Sequence, residues 1–154
     1  MSMLEGRRVL LVEDESLVAM MAEDMLLDLG CDVVVAMRLE QALAQLKAGA
    51  FDLAVLDVNL GNTHSYPVAD VLFGLCVPFL FATGYGLEGV ELAYRGVPVM
   101  QKPYQPAQMR RLLEHLITCE MPRAKGAAPG AAGFTCSCQQ NASVGTFWAS
   151  SLNS

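Results

Sequence analysis

Polar side chains stand where four apolar runs stop. Arg7 to Val12, RRVLLV, runs into Glu13-Asp14-Glu15, and Leu53-Ala54-Val55-Leu56 runs into Asp57. Val77 to Phe81, VPFLF, is followed by Ala82-Thr83-Gly84, and Val97 to Met100 by Gln101-Lys102-Pro103. Short apolar runs bounded by polar, Gly or Pro signals read as buried strands. Open α/β sheets bind ligands outside the carboxyl ends of their strands, and in a parallel sheet those ends share one edge. Glu13, Asp14 and Asp57 would then form an oxygen-rich site suited to Mg²⁺, a hard cation that takes carboxylate and carbonyl oxygens. Without a cation such acids raise one another's pKa.

Lys102 would balance that charge by pairing with Asp57 or with a phosphoryl group. Thr83 supplies a hydroxyl that can donate to a phosphoryl oxygen. The backbone near Gly84 can approach a ligand closely because glycine has no side chain. These parts suit phosphoryl transfer to a carboxylate, with Asp57 as the nucleophile and a cation and a donor set against the spreading charge. Taken singly, each residue has a plainer reading: Asp14 as a helix cap, Asp57 and Thr83 as turn residues, Lys102 as a surface lysine. The functional reading rests on all of them closing strands in the right order.

The segments between the runs are helical. Ser16 to Leu29 carries Leu17, Met21 and Met25 at intervals of four, with Met20 and Leu27 broadening the stripe, and Gly30 is a natural stop. Cys31 to Ala36 is β-branched and reads as the second strand. Arg38 to Gly49 places Leu39, Ala42, Leu43 and Leu46 at i, i+3, i+4, i+7. Val58 to Tyr66 reads as a polar loop, and Pro67 opens a helix to about Leu75. Leu87 to Arg95 is a candidate fourth helix of about two turns, too short to be stable alone. A last helix opens at Pro106 with Met109, Leu112, Leu113 and Leu116 inward. Strand-helix alternation of this kind predicts a parallel sheet with helices on both faces.

The chain has 154 residues, 53% of them hydrophobic, and a net charge of −6. Its mean hydropathy of +0.36 suits an α/β domain buried on both sheet faces. The acidic balance argues against nonspecific nucleic-acid binding. The N-terminal apolar run is too short for a signal peptide, and Val71 to Ala82 is broken by Gly74 and Pro78, so a cytoplasmic protein without membrane segments is expected. Five scattered cysteines read as reduced thiols, and Cys136-Ser137-Cys138 is weak evidence for metal. Residues 1–120 hold eight basic against sixteen acidic side chains, whereas 121–154 hold two basic residues and no acid. The division expected is a domain over 1–120 and a flexible, low-complexity extension over 121–154.

LLVEDE, VLDVNL, FATGY and QKPY resemble the receiver domains of two-component response regulators. The resemblance spans about residues 5–120 and implies a flavodoxin-like (βα)5 fold with a five-stranded parallel sheet. It implies that Asp57 accepts a phosphoryl group from a histidine kinase or phosphotransfer protein. It also implies that Asp14 and Asp57 ligate Mg²⁺, with Glu13 acting through water and the Asn59 carbonyl as a further ligand, and that Thr83 and Lys102 are the switch hydroxyl and the phosphate-binding lysine. Phe81-Ala82-Thr83-Gly84-Tyr85 is similar to the FAT GUY subgroup, stand-alone receivers served by HWE and related histidine kinases. Such a protein acts as an adaptor or phosphate sink, not as an enzyme on external substrates, though it can promote its own dephosphorylation. Most receivers carry an aromatic three residues before the lysine; here that position is Val99, and Tyr85 is the candidate substitute. The loop after Asp57 lacks the Met-Pro common in the family and offers Asn59 and His64 instead.

Two other classes share parts of this pattern. Phosphohydrolases with an Asp nucleophile usually place a second acid two residues on, where this chain has Asn59. A receiver-like binding module that is not phosphorylated is opposed by the complete set of polar groups. A homodimer through the last helix or the fifth strand is compatible with the sequence.

Overall fold

The computed structural model describes residues 3–84, 90, 94 and 96–118. Outside them lie Tyr85, most of the segment Leu87 to Arg95, Cys119, Cys136, Cys138 and the whole 121–154 extension. The elements in chain order are β1 (Arg8–Val12), α1 (Ser16–Asp28), β2 (Asp32–Ala36), α2 (Leu39–Ala48), β3 (Leu53–Asp57), β4 (Asn59–Leu60), β5 (Thr63–His64), α3 (Tyr66–Leu75), β6 (Phe79–Thr83), β7 (Val99–Gln101) and α4 (Pro106–Thr118). Five strands form a parallel sheet in the order β2-β1-β3-β6-β7. This is the flavodoxin-like strand order. From β1 the chain steps outward to β2 on one side and then crosses to β3 on the other. The carboxyl ends of β1 and β3 therefore flank the switch point where doubly wound sheets open a crevice.

β3 and β6 are buried at every residue, as central strands covered on both faces must be. Alternation along the strands divides the core in two. Leu10, Ala54, Leu56, Phe79, Phe81 and Val99 face α2 and α3. Val9, Leu11, Leu53, Val55, Leu80 and Met100 face α1 and α4. Each fully buried Leu or Phe stabilises the fold by about 1.5–3 kcal/mol over an exposed one.

The inner faces of α2 and α4 are those the spacing predicts. α1 is turned differently. Its buried residues are Ala19, Ala22 and Leu26, while Leu17, Met20, Met21 and Leu27 are exposed. The helix carries two apolar stripes, and hydrophobicity alone does not choose between them. The alanine stripe faces the sheet, where small side chains let the helix come close. Gly30 then adopts φ +89°, a conformation that side-chain-bearing residues rarely take.

Three boundaries also move. The fourth main strand starts at Phe79, not Val77, because the Val77 N–H donates to the Leu72 carbonyl at the exit of α3 (3.0 Å). Pro78 has no N–H to give, and its carbonyl accepts the first ladder bond from Ala54. The strand therefore reaches Thr83, which closes it instead of lying in the loop beyond. β7 starts at Val99 because the Val97 N–H turns back to the Tyr94 carbonyl (3.1 Å). The expected polar loop after Asp57 contains a small antiparallel ladder, Asn59 opposite His64 and Leu60 opposite Thr63, turning at Gly61 with φ +66°.

Candidate functional site

The alternation that sorts the core also selects the site. Glu13 continues the parity of Val9 and Leu11, Asp57 that of Leu53 and Val55, and Lys102 that of Met100, so all three belong to the face covered by α1 and α4. The ladder holds them level: the Glu13 N–H donates to the Ala36 carbonyl, and the Lys102 N–H to the Thr83 carbonyl at 2.9 Å. At that edge the Lys102 ammonium donates to Asp57 Oδ2 at 3.0 Å and meets Glu13 Oε1 at 2.9 Å. One cation thus holds two buried carboxylates.

Glu13 is fully buried, and its Oε1 also accepts the Tyr104 hydroxyl at 3.1 Å. Tyr104 is buried too, and a buried tyrosine hydroxyl needs a partner. The motif QKPY contains this residue, but spacing gives no sign that it would reach back to the first strand. The pairing appears only with the fold. Burial, reinforced by the Glu13 and Asp57 charges, keeps the Tyr104 phenol protonated well beyond its ordinary range.

Asp14, next along the chain, is half-buried and has the opposite parity. Its Oδ2 accepts the Gly61 N–H at 2.7 Å, which ties the β4–β5 hairpin to the β1 end. The Asn59 N–H donates to Asp57 Oδ1 at 3.3 Å, placing Asn59 over the mouth of the site. Thr83 is fully buried at the end of β6, and alternation assigns it to the opposite face, with Phe81 and Phe79. Val99 lies opposite Phe81 in the register and is buried. The structure thus brings Glu13, Asp14, Asp57, Asn59 and Lys102 to one edge and sets Thr83 behind it. Tyr85 lies outside the described residues.

The carboxylates interact as their spacing requires. Burial first, and then Glu13, push the Asp57 carboxyl up from 3.8 to about 8, against the opposing pull of Lys102. Burial pulls the Lys102 ammonium down, but its bonds to Glu13 and Asp57 outweigh this and hold it above its ordinary range. Glu13, Asp14 and Asp57 each present an oxygen within 4.8 Å of the others. Three hard carboxylate donors this close, faced by a single lysine, fit a divalent cation such as Mg²⁺.

A family model described as the response regulator receiver domain matches residues 9–114. The chain belongs to the response regulator receiver family. Among solved structures this receiver is similar to SdrG from Sphingomonas melonis Fr1, with 41% identity over 76% of this chain and 99% of SdrG and a TM-score of 0.66. It is also similar to the receiver domain of the PhyR response regulator from Erythrobacter litoralis, with 26% identity over 75% of this chain and 93% of that one and a TM-score of 0.67. A CheY-like receiver domain from Methylobacillus flagellatus shares the fold at 20% identity, over 73% of this chain and 99% of that one, with a TM-score of 0.64. Among curated proteins no match was found. The receiver is a component of the two-component signalling class. No helix among its described residues is long and apolar enough to cross a membrane.

Proposed function

We propose that this receiver is a phosphoacceptor switch in which Asp57 takes a phosphoryl group from a histidine kinase of the HWE or a related class. The observation that carries the reading is the position of Asp57: buried at a strand end, beside Glu13, with Lys102 bonded to one oxygen. In the transfer a carboxylate oxygen of Asp57 attacks phosphorus and the P–N bond to the donor imidazole breaks. The departing nitrogen keeps the electron pair and takes up a proton. Lys102 then exchanges a carboxylate partner for a phosphoryl oxygen, and Thr83, at the end of the neighbouring strand, donates its hydroxyl to another.

Glu13, Asp14 and Asp57, with the Asn59 carbonyl, would hold Mg²⁺, which when bound neutralises charge on the phosphoryl oxygens. The chain's own contribution is to hold these oxygens in register and to keep bulk water from the acyl phosphate. The output proposed for this receiver runs through protein contact, as an adaptor or phosphate sink.

Phosphotransfer profiling tests the kinase assignment. Purified receiver with Mg²⁺ is offered autophosphorylated histidine kinases of several classes, and the fastest transfer is expected from the HWE class. Equal or faster transfer from unrelated classes would remove that assignment while leaving Asp57 as acceptor. Undiminished labelling of Asp57→Asn would remove the acceptor.

A further inference from the structure

The loop after Asp57 lacks the Met-Pro of other receivers, and the two residues it offers instead, Asn59 and His64, face each other across the β4–β5 ladder. A two-stranded hairpin this short has little stability of its own, so its position is set by its anchors. Two anchors are carboxylates of the site: the Gly61 N–H donates to Asp14 Oδ2 at 2.7 Å, and the Asn59 N–H to Asp57 Oδ1 at 3.3 Å. A third is the aromatic face, where His64 stacks on Tyr66 with ring centroids 5.4 Å apart. Tyr66 in turn stacks on Tyr94 at 4.4 Å and meets Phe81 edge-on at 5.8 Å. Leu60 is buried in that face's core, whereas Thr63 and His64 are exposed. The outer strand can therefore shift without opening the core.

The hairpin runs into Ser65, whose hydroxyl is fully buried and has no hydrogen-bond partner among the described residues. Ser65 is the N-cap of α3, a position where a serine oxygen ordinarily accepts the N–H of the second or third helical residue. The second is Pro67, which has no N–H. The third, Val68, gives its N–H to the Ser65 carbonyl at 2.9 Å, although that carbonyl already accepts the Ala69 N–H at 3.2 Å. Ser65 also stands at φ −86°, ψ 7°, outside the extended region usual for an N-cap. Rotating it into that region would let its hydroxyl take the Val68 N–H and would swing His64 relative to Tyr66, the first residue of the helix. Pairing a buried hydroxyl favours that second arrangement. We propose that the β4–β5 hairpin reports occupancy of the carboxylate site to the aromatic face: when Asp14 turns to a cation, Gly61 is released, Ser65 caps α3 and His64 leaves Tyr66. The inference rests on the Mg²⁺ reading of Glu13, Asp14 and Asp57.

The test uses the full chain and Mg²⁺ alone, followed by NMR, with no phosphodonor. The chain has two histidines, and the spectrum of His115→Gln assigns His64. As Mg²⁺ saturates the site, the Gly61 amide proton is expected to move upfield on losing its charged acceptor. The His64 ring protons should move toward their values in a short unstructured peptide. Ser65→Ala touches no ligand and leaves a buried site apolar. Because the cap bond forms only in the cation-bound arrangement, losing it should weaken Mg²⁺ binding about fivefold and reduce the His64 displacement. Shifted amides at Glu13, Asp14 and Asp57 with Gly61 and His64 unmoved would overturn the inference and leave the Mg²⁺ reading standing. Wild-type Mg²⁺ affinity and His64 displacement in Ser65→Ala would overturn it as well. Amides of the three acids that do not respond to Mg²⁺ would remove the metal reading and this inference together.

Discussion

On the face of the sheet covered by α1 and α4 the packed side chains are almost all aliphatic, and the strand register brings Glu13, Asp57 and Lys102 to their upper edge. The opposite face is aromatic. Tyr66 and Tyr94 stack at 4.4 Å, and Phe81 meets both edge-on, at 5.8 and 6.1 Å. Phe73 and Phe79 extend the cluster, and His64 of the hairpin stacks on Tyr66 at 5.4 Å. The first face stores charge and the second stores shape. Interlocked rings cannot yield by small amounts, so a displacement at their edge is passed on through the packing. Thr83 belongs to both faces: its carbonyl accepts the Lys102 N–H, and alternation puts its side chain with Phe81. With Val99 in the register position opposite Phe81, Tyr94 supplies the ring that packs there.

The largest loss is expected on the aromatic face. Phe81→Ala should cost about 3–5 kcal/mol in urea unfolding, as large buried aromatics do. A cost near 1 kcal/mol would mean that the ring cluster is loosely packed. On the charged face, Lys102→Met should destabilise the metal-free domain by about 2–3 kcal/mol. That is below the cost of breaking a fully sealed pair, because the lysine keeps 17% exposure. The penalty should shrink as pH falls and Asp57 protonates.

The same logic gives a pH dependence in the wild type. Asp57 releases its proton near 3.8 when unfolded and near 8 when folded, so between these values the folded state binds more proton. The Asp57 contribution therefore lowers the stability of the metal-free domain as pH rises through that window. Mg²⁺ should offset the loss most at the alkaline end. Thermal melts with and without Mg²⁺ at several pH values would show this, and a Mg²⁺ effect larger at pH 5 than at pH 8 would contradict it.

Smaller effects sharpen the picture. Tyr104→Phe removes a hydrogen bond to the Glu13 carboxylate and should cost about 1.5–3 kcal/mol in chemical denaturation, the range for bonds to charged groups. Tyr94→Phe removes only the hydroxyl that donates to Asp70 at 2.8 Å and keeps the ring. It should cost about 1 kcal/mol and leave phosphoryl uptake intact. A large loss of uptake in that variant would mean that the aromatic face takes part in the chemistry as well as in reading it.

The strand ends were legible in the sequence because four of the five main buried runs lead into polar residues, and parallel topology does the rest. Two things were not. The inward face of α1 could not be chosen by hydrophobicity, since Leu17-Met20-Met21 and Ala19-Ala22-Leu26 are both apolar stripes; closeness to the sheet decided it. The bond from Tyr104 to Glu13 joins residues 91 apart, and no local pattern announces it. The shift of the fourth main strand toward Thr83 came from one backbone bond, Val77 to Leu72, that spends the first residue of the apolar run on finishing a helix.

The central claim is that Asp57 is the acceptor. Its most direct test is to phosphorylate the full chain with a small phosphodonor and Mg²⁺ and to locate the modification by mass spectrometry. One phosphoryl group on Asp57 is predicted, with none on the Asp57→Asn variant. Equal uptake by the variant, or a phosphoryl group found on His64 or His115 instead, would contradict it.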